Sequence, residues 1–223
     1  MADFQSKIYE FVKSIDDLSK NNSVPKWIRP FLQASKKFAN ELGSQLVVKE
    51  TVLNTLMEDR DSLMVKTENL EDELDDLQQY SRRTCLLIHG VKEEKEKNVE
   101  TVVNNVIKDE VKVKLDVKDV ARTHRLGKKR SDDKPRPIIV RFLWYRQRAK
   151  VFSSKKNLKG KKTFISENLT KKRYSLLQTC IEKFGNKNVW SYDGRIYALI
   201  DTKKECFTTE KDLSDFLENH TDS

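Results

Sequence analysis

Cysteine is scarce in this chain of 223 residues: Cys85, Cys180 and Cys206 are far apart, odd in number and without a CxxC spacing. That excludes a disulfide framework and a cysteine-based zinc site, and makes a reducing intracellular compartment the expectation. Glycine (6) and proline (4) are also few, which argues against a Pro/Gly-rich disordered chain. No apolar run approaches the roughly 18 residues of a membrane span, so no membrane partner is expected. The opening MADFQSKIYE lacks the apolar core of a signal peptide. Missing too are the phosphate-cradling GxxxxGK[ST], HExxH and GxSxG, and His89, His124 and His220 are isolated. A metal nuclease would need clustered carboxylates. The acids that do cluster, Glu68–Asp76, read as the solvated face of a helix. The expectation is a non-enzymatic protein with no metal, no cofactor and no small-molecule substrate.

What the chain has is charge, unevenly placed. Hydrophobic residues make up 37% and charged residues 35%, with a net charge of +9. Residues 1–80 hold 10 Lys/Arg against 15 Asp/Glu, whereas Val120–Arg173 holds 19 Lys/Arg against 3 Asp/Glu. A positive field this concentrated, beside strand-like runs, is the footprint of polyanion binding.

The N-terminal third reads as helix. Phe4, Ile8, Phe11, Val12, Ile15 and Leu18 recur at steps of three and four over residues 3–19. Asn21–Ser23 breaks this helix, and Pro25 suits the first turn of the next. Trp27, Ile28, Phe31, Leu32 and Phe38 then form an aromatic stripe. It lacks the dense Lys/Arg face of a membrane-surface helix, so it is expected to pack on its own neighbours or on other subunits. A heptad repeat runs from Leu32 to Leu77, with Leu56, Leu63, Leu70 and Leu77 at d, Ser35, Leu42 and Lys49 at the earlier d positions, and Leu32, Ala39, Leu46, Leu53, Arg60, Thr67 and Leu74 at a. From Leu46 to Leu77 this is a rod of roughly 48 Å at 1.5 Å per residue. The seam would be wet in a lone helix. No second heptad run of similar length exists here, so homo-oligomerisation is expected, with dimer and trimer both open. Arg60 and Thr67 could set register or oligomer number, or be ordinary imperfections of the repeat.

At Ser81-Arg82-Arg83 the character changes. Strand runs at 84–91, 120–126, 137–143 and 163–165, with helical runs at 99–111 and 145–157, give the order β-α-β-β-α-β, the split pattern of ferredoxin-like domains. Such a sheet leaves one face open, where RNA-recognition domains stack bases on aromatics in strands 1 and 3. Here Leu87 stands at the strand-1 position and Pro137 and Ile139 at the strand-3 positions. Binding should therefore lean on charge: Arg82, Arg83, Arg122, Arg125 and Arg141, and the loop bases Lys128, Lys129, Arg130 and Arg136. It should be salt-sensitive with little sequence preference.

Lys171–Phe184 reads as a helix, Val189–Tyr192 and Arg195–Ile200 as a hairpin on the Asp193-Gly194 turn, and Thr209–Leu217 as a last helix. This small α-β-β-α unit is expected to dock on the central domain. A basic cleft between them would be lined by Lys155, Lys156, Lys159, Arg173 and Arg195, with Lys161 nearby. The fold class is thus α+β: an N-terminal helical segment (1–30), a coiled coil (31–80), an RNA-recognition-type domain (81–169), a C-terminal nucleic-acid-binding domain (170–218) and a tail (219–223).

A coiled coil followed by SRRTCLLIHGV, DVARTHRLG, RPIIVRF, LKGKKTFISENLT, SYDGRIYALID and FTTEKDLSDFL resembles the RNA-binding protein of the first open reading frame of LINE-type non-LTR retrotransposons. The likeness covers about residues 45–218, and the domain type also carries a transposase label without strand-transfer chemistry. The resemblance implies single-stranded RNA and DNA as partners, nucleic-acid chaperone activity and an oligomer, commonly a trimer. It also implies a cytoplasmic ribonucleoprotein that can enter the nucleus. It matches the family's RNA-contacting arginines to Arg122 or Arg125 in strand 2 and to Arg141 in strand 3.

Overall fold

Two helices open the chain as a hairpin in the computed structural model, which describes residues 2–93, 98–128 and 134–220. Helix α1 is Ala2–Lys20; a 3-10 turn at Lys26–Ile28 leads into α2, Arg29–Arg82, 54 residues without a break. The carboxamide oxygen of Asn21 accepts the Ser23 N–H at 2.9 Å and its hydroxyl at 2.7 Å, which shapes the turn between them. Helix α1 then runs back along α2. Gln5 donates to Glu50 at 3.3 Å and Lys36 pairs with Asp16 at 2.5 Å, so low numbers meet high ones. Ile15 and Ala39 are buried between the two. The two helices pass close at Gly43, where a Cβ would stand 3.7 Å from Ile8, in ordinary van der Waals contact.

This hairpin corrects one expectation. The upper heptad positions Leu32, Ala39 and Leu46 are at least half covered, and α1 is the partner. From Thr51 to Leu70 nothing among the described residues covers the helix. Every residue from 51 to 70 is exposed, Leu53, Leu56, Leu63 and Leu70 by 50–65%. The bare seam therefore starts at Leu53.

The chain divides into two compact units, 1–69 and 70–223, so the last turns of α2 belong to the second. There the fold is α+β with antiparallel sheets. Strand β1 is Cys85–His89. Helix α3, Val99–Asn105, is capped by Asn98, which accepts the Glu100 N–H, and widens into a π turn at Val106–Val111. Strands β2 (Val120–Arg125) and β3 (Ile138–Phe142) follow, then α4 (Tyr145–Ser153) with a 3-10 turn at Ser154–Leu158, and β4 (Phe164–Glu167). The sheet order is β2-β3-β1-β4, with all neighbours antiparallel. Alternation drives it. Leu86, Ile88, Ile138, Val140, Phe142 and Ile165 point into one core with Val103, Ile107, Val111, Val151 and Phe152 from the helical side.

Helix α5, Lys171–Phe184, packs a second core around Leu176 and Cys180 against a second sheet. That sheet has three strands, β5 (Val189–Tyr192), β6 (Arg195–Ile200) and β7 (Lys203–Phe207), with α6 (Glu210–His220) after it. The expected α-β-β-α unit is therefore α-β-β-β-α. Strand β7 follows a turn in which Asp201 and Thr202 both take positive φ, 46° and 70°. Neither residue is glycine, so the turn carries no sequence signal. At the first hairpin, by contrast, Asp193 and Gly194 take φ of 52° and 79°.

The end of α2 is built into this unit by its polar face. Gln79 accepts the Thr170 N–H at 2.9 Å and donates to the Asn168 carbonyl at 3.3 Å, and Arg82 donates to the Leu169 carbonyl at 3.0 Å. Arg173 pairs with Asp75 at 3.0 Å and with Asp76. Lys172 sits 3.1 Å from Glu71 and 3.3 Å from Asp72. The acidic cluster is thus not simply a solvated face: Asp75 is buried, and the cluster binds the cations that open α5. Leu70, Leu74 and Leu77 lie on the opposite side of the same turns and stay 54–68% exposed.

Candidate nucleic-acid interface

The four-stranded sheet has one covered face and one open face, and register says what the open one carries. Directly opposed residues of an antiparallel pair share a face. Arg122 of β2 is opposite Arg141 of β3, which is opposite Cys85 of β1. In the next row His124, Ile139, Leu87 and Ser166 follow one another across all four strands. At the far edge His89 is opposite Phe164. None of these nine side chains is acidic. Arg122 and Arg141 are exposed, and neither meets an acidic partner among the described residues. Like charges placed directly opposite each other are unfavourable, and an anion lying over them relieves that repulsion.

The other expected contacts divide by what already holds them. Arg125 turns away from the open face and donates to the carbonyls of Val91, Lys92 and Arg136, each at 2.7 Å. A register shift between Val120 and Arg122 causes this, since it puts Arg125 opposite the core residue Ile138. Arg136 is held by Glu93, Nη2 to Oε2 at 2.9 Å, and its guanidinium pulls that carboxyl down to about 2. Arg83 pairs with Asp193 at 3.0 Å and lies over the Tyr145 ring at 4.4 Å. Arg82 is engaged with Leu169 as described. Lys161 is 3.8 Å from Glu110. Lys155 lies over the Phe152 ring at 3.9 Å. Lys128, Lys156, Lys159 and Arg195 are exposed. Lys129 and Arg130 fall outside the described residues.

Arg173 departs furthest from expectation. It does not offer its charge to a cleft; its side chain is 6% exposed, and besides Asp75 and Asp76 it donates to the Gly194 carbonyl at 2.9 Å. The cavity of about 490 Å³ beside it does bring Arg83, Arg173 and Arg195 together, but Asp76 and Asp193 line it as well. A second cavity, about 500 Å³, lies between α4 and the end of β5. Tyr145, Arg146, Arg148, Lys150 and Tyr192 are among its lining residues, and none of the lining residues is acidic. Arg148 itself is buried against Glu167. Of the five residues expected to line a basic cleft between the central and C-terminal domains, Arg173 and Arg195 line the first cavity, and Lys155, Lys156 and Lys159 line neither.

Several aromatics on these surfaces escaped the sequence reading. Phe164 is 55% exposed and stacks on His89 with centroids 4.4 Å apart and planes 1° apart. His89 shares a 2.9 Å hydrogen bond with Ser166, and burial lowers its pKa. On the outer face of the second sheet Trp190 stacks on Tyr197 at 6.0 Å, and Lys204 sits 4.0 Å over Tyr197. The Trp190–Tyr197 pair follows from the two-residue Asp193-Gly194 turn, which sets the two opposite each other, whereas the His89–Phe164 pair depends on the pairing of strands distant in sequence. No family model matches the chain, and no curated protein matches it.

Proposed function

We propose that this chain is a single-stranded nucleic-acid-binding protein that works as a homo-oligomer and acts on RNA as a chaperone rather than an enzyme. The observation that carries the reading is the Arg122–Arg141 pair: two exposed, unneutralised guanidiniums side by side on an open sheet face that holds no acid. The strand order β2-β3-β1-β4, with helical segments in both crossovers, supports reading this sheet as a ferredoxin-like, RNA-recognition-type domain. The acid-free cavity at α4 supplies further cations for the same strand.

The oligomer rests on the seam from Leu53 to Leu77, whose leucines are 50–68% exposed as the single chain stands. The exposed Phe31 and Phe38 (71% and 70%) and Phe4 and Phe11 (51% and 52%) extend the apolar surface a partner copy would cover. Linking several charge-driven sites raises avidity without new contacts. Each single contact stays weak enough to exchange, which lets strands rearrange and anneal. Because of the resemblance noted above, retrotransposon RNA is the substrate we favour, with the trimer as the assembly and a cytoplasmic ribonucleoprotein as its setting.

The test is a salt titration of affinity for a single-stranded oligonucleotide, with solution mass measured alongside. Each phosphate contact contributes a slope of about −0.7 in log K against log salt. Arg122→Gln with Arg141→Gln should flatten the slope by about 1.4. A chain that ignores oligonucleotides even at low ionic strength would remove the proposal and leave a coiled-coil scaffold.

A further inference from the structure

The open sheet face lacks aromatics at the positions in strands 1 and 3 where bases ordinarily stack, yet one of its edges carries a stacked ring pair. Phe164 in β4 is 55% exposed on the open face, while Ile165 and Glu167, which alternate to the other face, are buried. One face of its ring is covered by His89 at 4.4 Å, with the planes 1° apart. His89 is held in turn by the 2.9 Å bond to Ser166 on the same sheet face. The phenyl ring is therefore fixed in orientation by its partner while more than half of it stays wet.

A basic loop abuts the same edge. LKGKK, residues 158–162, lies one residue before β4. Its backbone is pressed against the end of β1: a Cβ on Gly90 would stand 2.1 Å from the Lys162 carbonyl oxygen, and Gly90 takes φ +79°, so only glycine fits. That approach sets the loop next to the His89–Phe164 pair. Lys159 and Lys162 are exposed, with no acidic partner among the described residues. A bare, oriented ring beside unpaired ammonium groups matches a nucleotide, whose base offers a π face and whose phosphate offers charge. A second copy of this edge would instead set two basic loops against each other.

We propose that Phe164, backed by His89, is a stacking shelf for one nucleobase, and that Lys159 and Lys162 hold the phosphates flanking it. This rests on the single-strand reading above and adds to it a contact that is not electrostatic. The shelf is sequence-tolerant, because every base has a π face.

The experiment compares the full-length chain on oligothymidylate and on an abasic sugar–phosphate strand of equal length, over a range of salt. The wild type should prefer the base-bearing strand. Phe164→Ala should weaken oligothymidylate binding by roughly 5- to 150-fold, the size of one stacked base, while leaving abasic binding and the salt slope unchanged. Phe164→Trp should keep the preference, which guards against reading a folding defect as a lost contact. Lys162→Ala should flatten the slope by about 0.7 on both strands. Equal binding of the two strands by the wild type, or a preference that survives Phe164→Ala, would overturn the shelf while leaving the charge-driven reading standing. Binding to neither strand would sink both.

Discussion

Replacing Arg173 with alanine separates two roles that cannot both be its main one. If the residue is a clamp between α2 and α5, the change strands Asp75, whose side chain is only 10% exposed. Asp76, at 72%, simply returns to water. Breaking a buried pair by removing one partner costs about 3–5 kcal/mol, because the remaining charge is left uncompensated. For a unit the size of residues 70–223 each kcal/mol moves the melting temperature by about 2–4 °C, so the expected fall is about 6–20 °C. Near-UV circular dichroism is the right readout, since Trp144 and Trp190 lie in this unit and the long helix would dominate a far-UV signal. Arg173→Met combined with Asp75→Leu should recover most of the loss, because a packed apolar pair commonly replaces a buried ion pair at little cost. The reasoning fails if Arg173→Ala melts within 2 °C of the wild type while weakening oligonucleotide binding and flattening its salt dependence. That outcome would return Arg173 to the ligand.

Leu56→Ser with Leu63→Ser should shift the sedimentation coefficient toward that of a single chain. Each leucine is 58–60% exposed in one chain, and covering that share contributes roughly 1–2 kcal/mol per side chain. Cysteine labelling in the native state should modify Cys206 alone. Cys85 and Cys180 are buried, and burial pushes the Cys180 thiol up to about 11; all three should react once the chain is denatured. Stability should fall on acidification below about 6.5, as burial holds the folded His89 pKa under that ordinary value and the unfolded chain takes up the proton first. Denaturant titrations at pH 7.5 and 5.5 should show a smaller difference for His89→Gln than for the wild type.

The parts of the fold that could be read in advance were those written in short-range pattern. Alternation at Ile138, Val140 and Phe142 marks β3, and the leucine spacing marks α2. Asp193-Gly194 marks its hairpin because the second position takes a φ that glycine adopts freely. Strand β7 escaped for the converse reason, since Asp201 and Thr202 make the same kind of turn without glycine. The site was legible in charge and only partly in place. Arg122 and Arg141 do lie together on the open face, but a register shift in β2 turned Arg125 inward, and no run of letters shows a shift of that kind.

Composition and periodicity alone determined that the chain would be α+β, that its positive charge would gather on one stretch, and that a leucine seam would run along a long helix. Those properties are local: each depends on residues within a few turns or one strand of each other. Which charges remain available was decided by tertiary structure. Arg173 meets Asp75 across 98 positions, and Phe164 meets His89 through strand register. Whether a cation stays open to a ligand depends on what the fold brings opposite it. An arginine against a buried carboxylate is neutralised in place, while one opposite another arginine is left with its charge exposed.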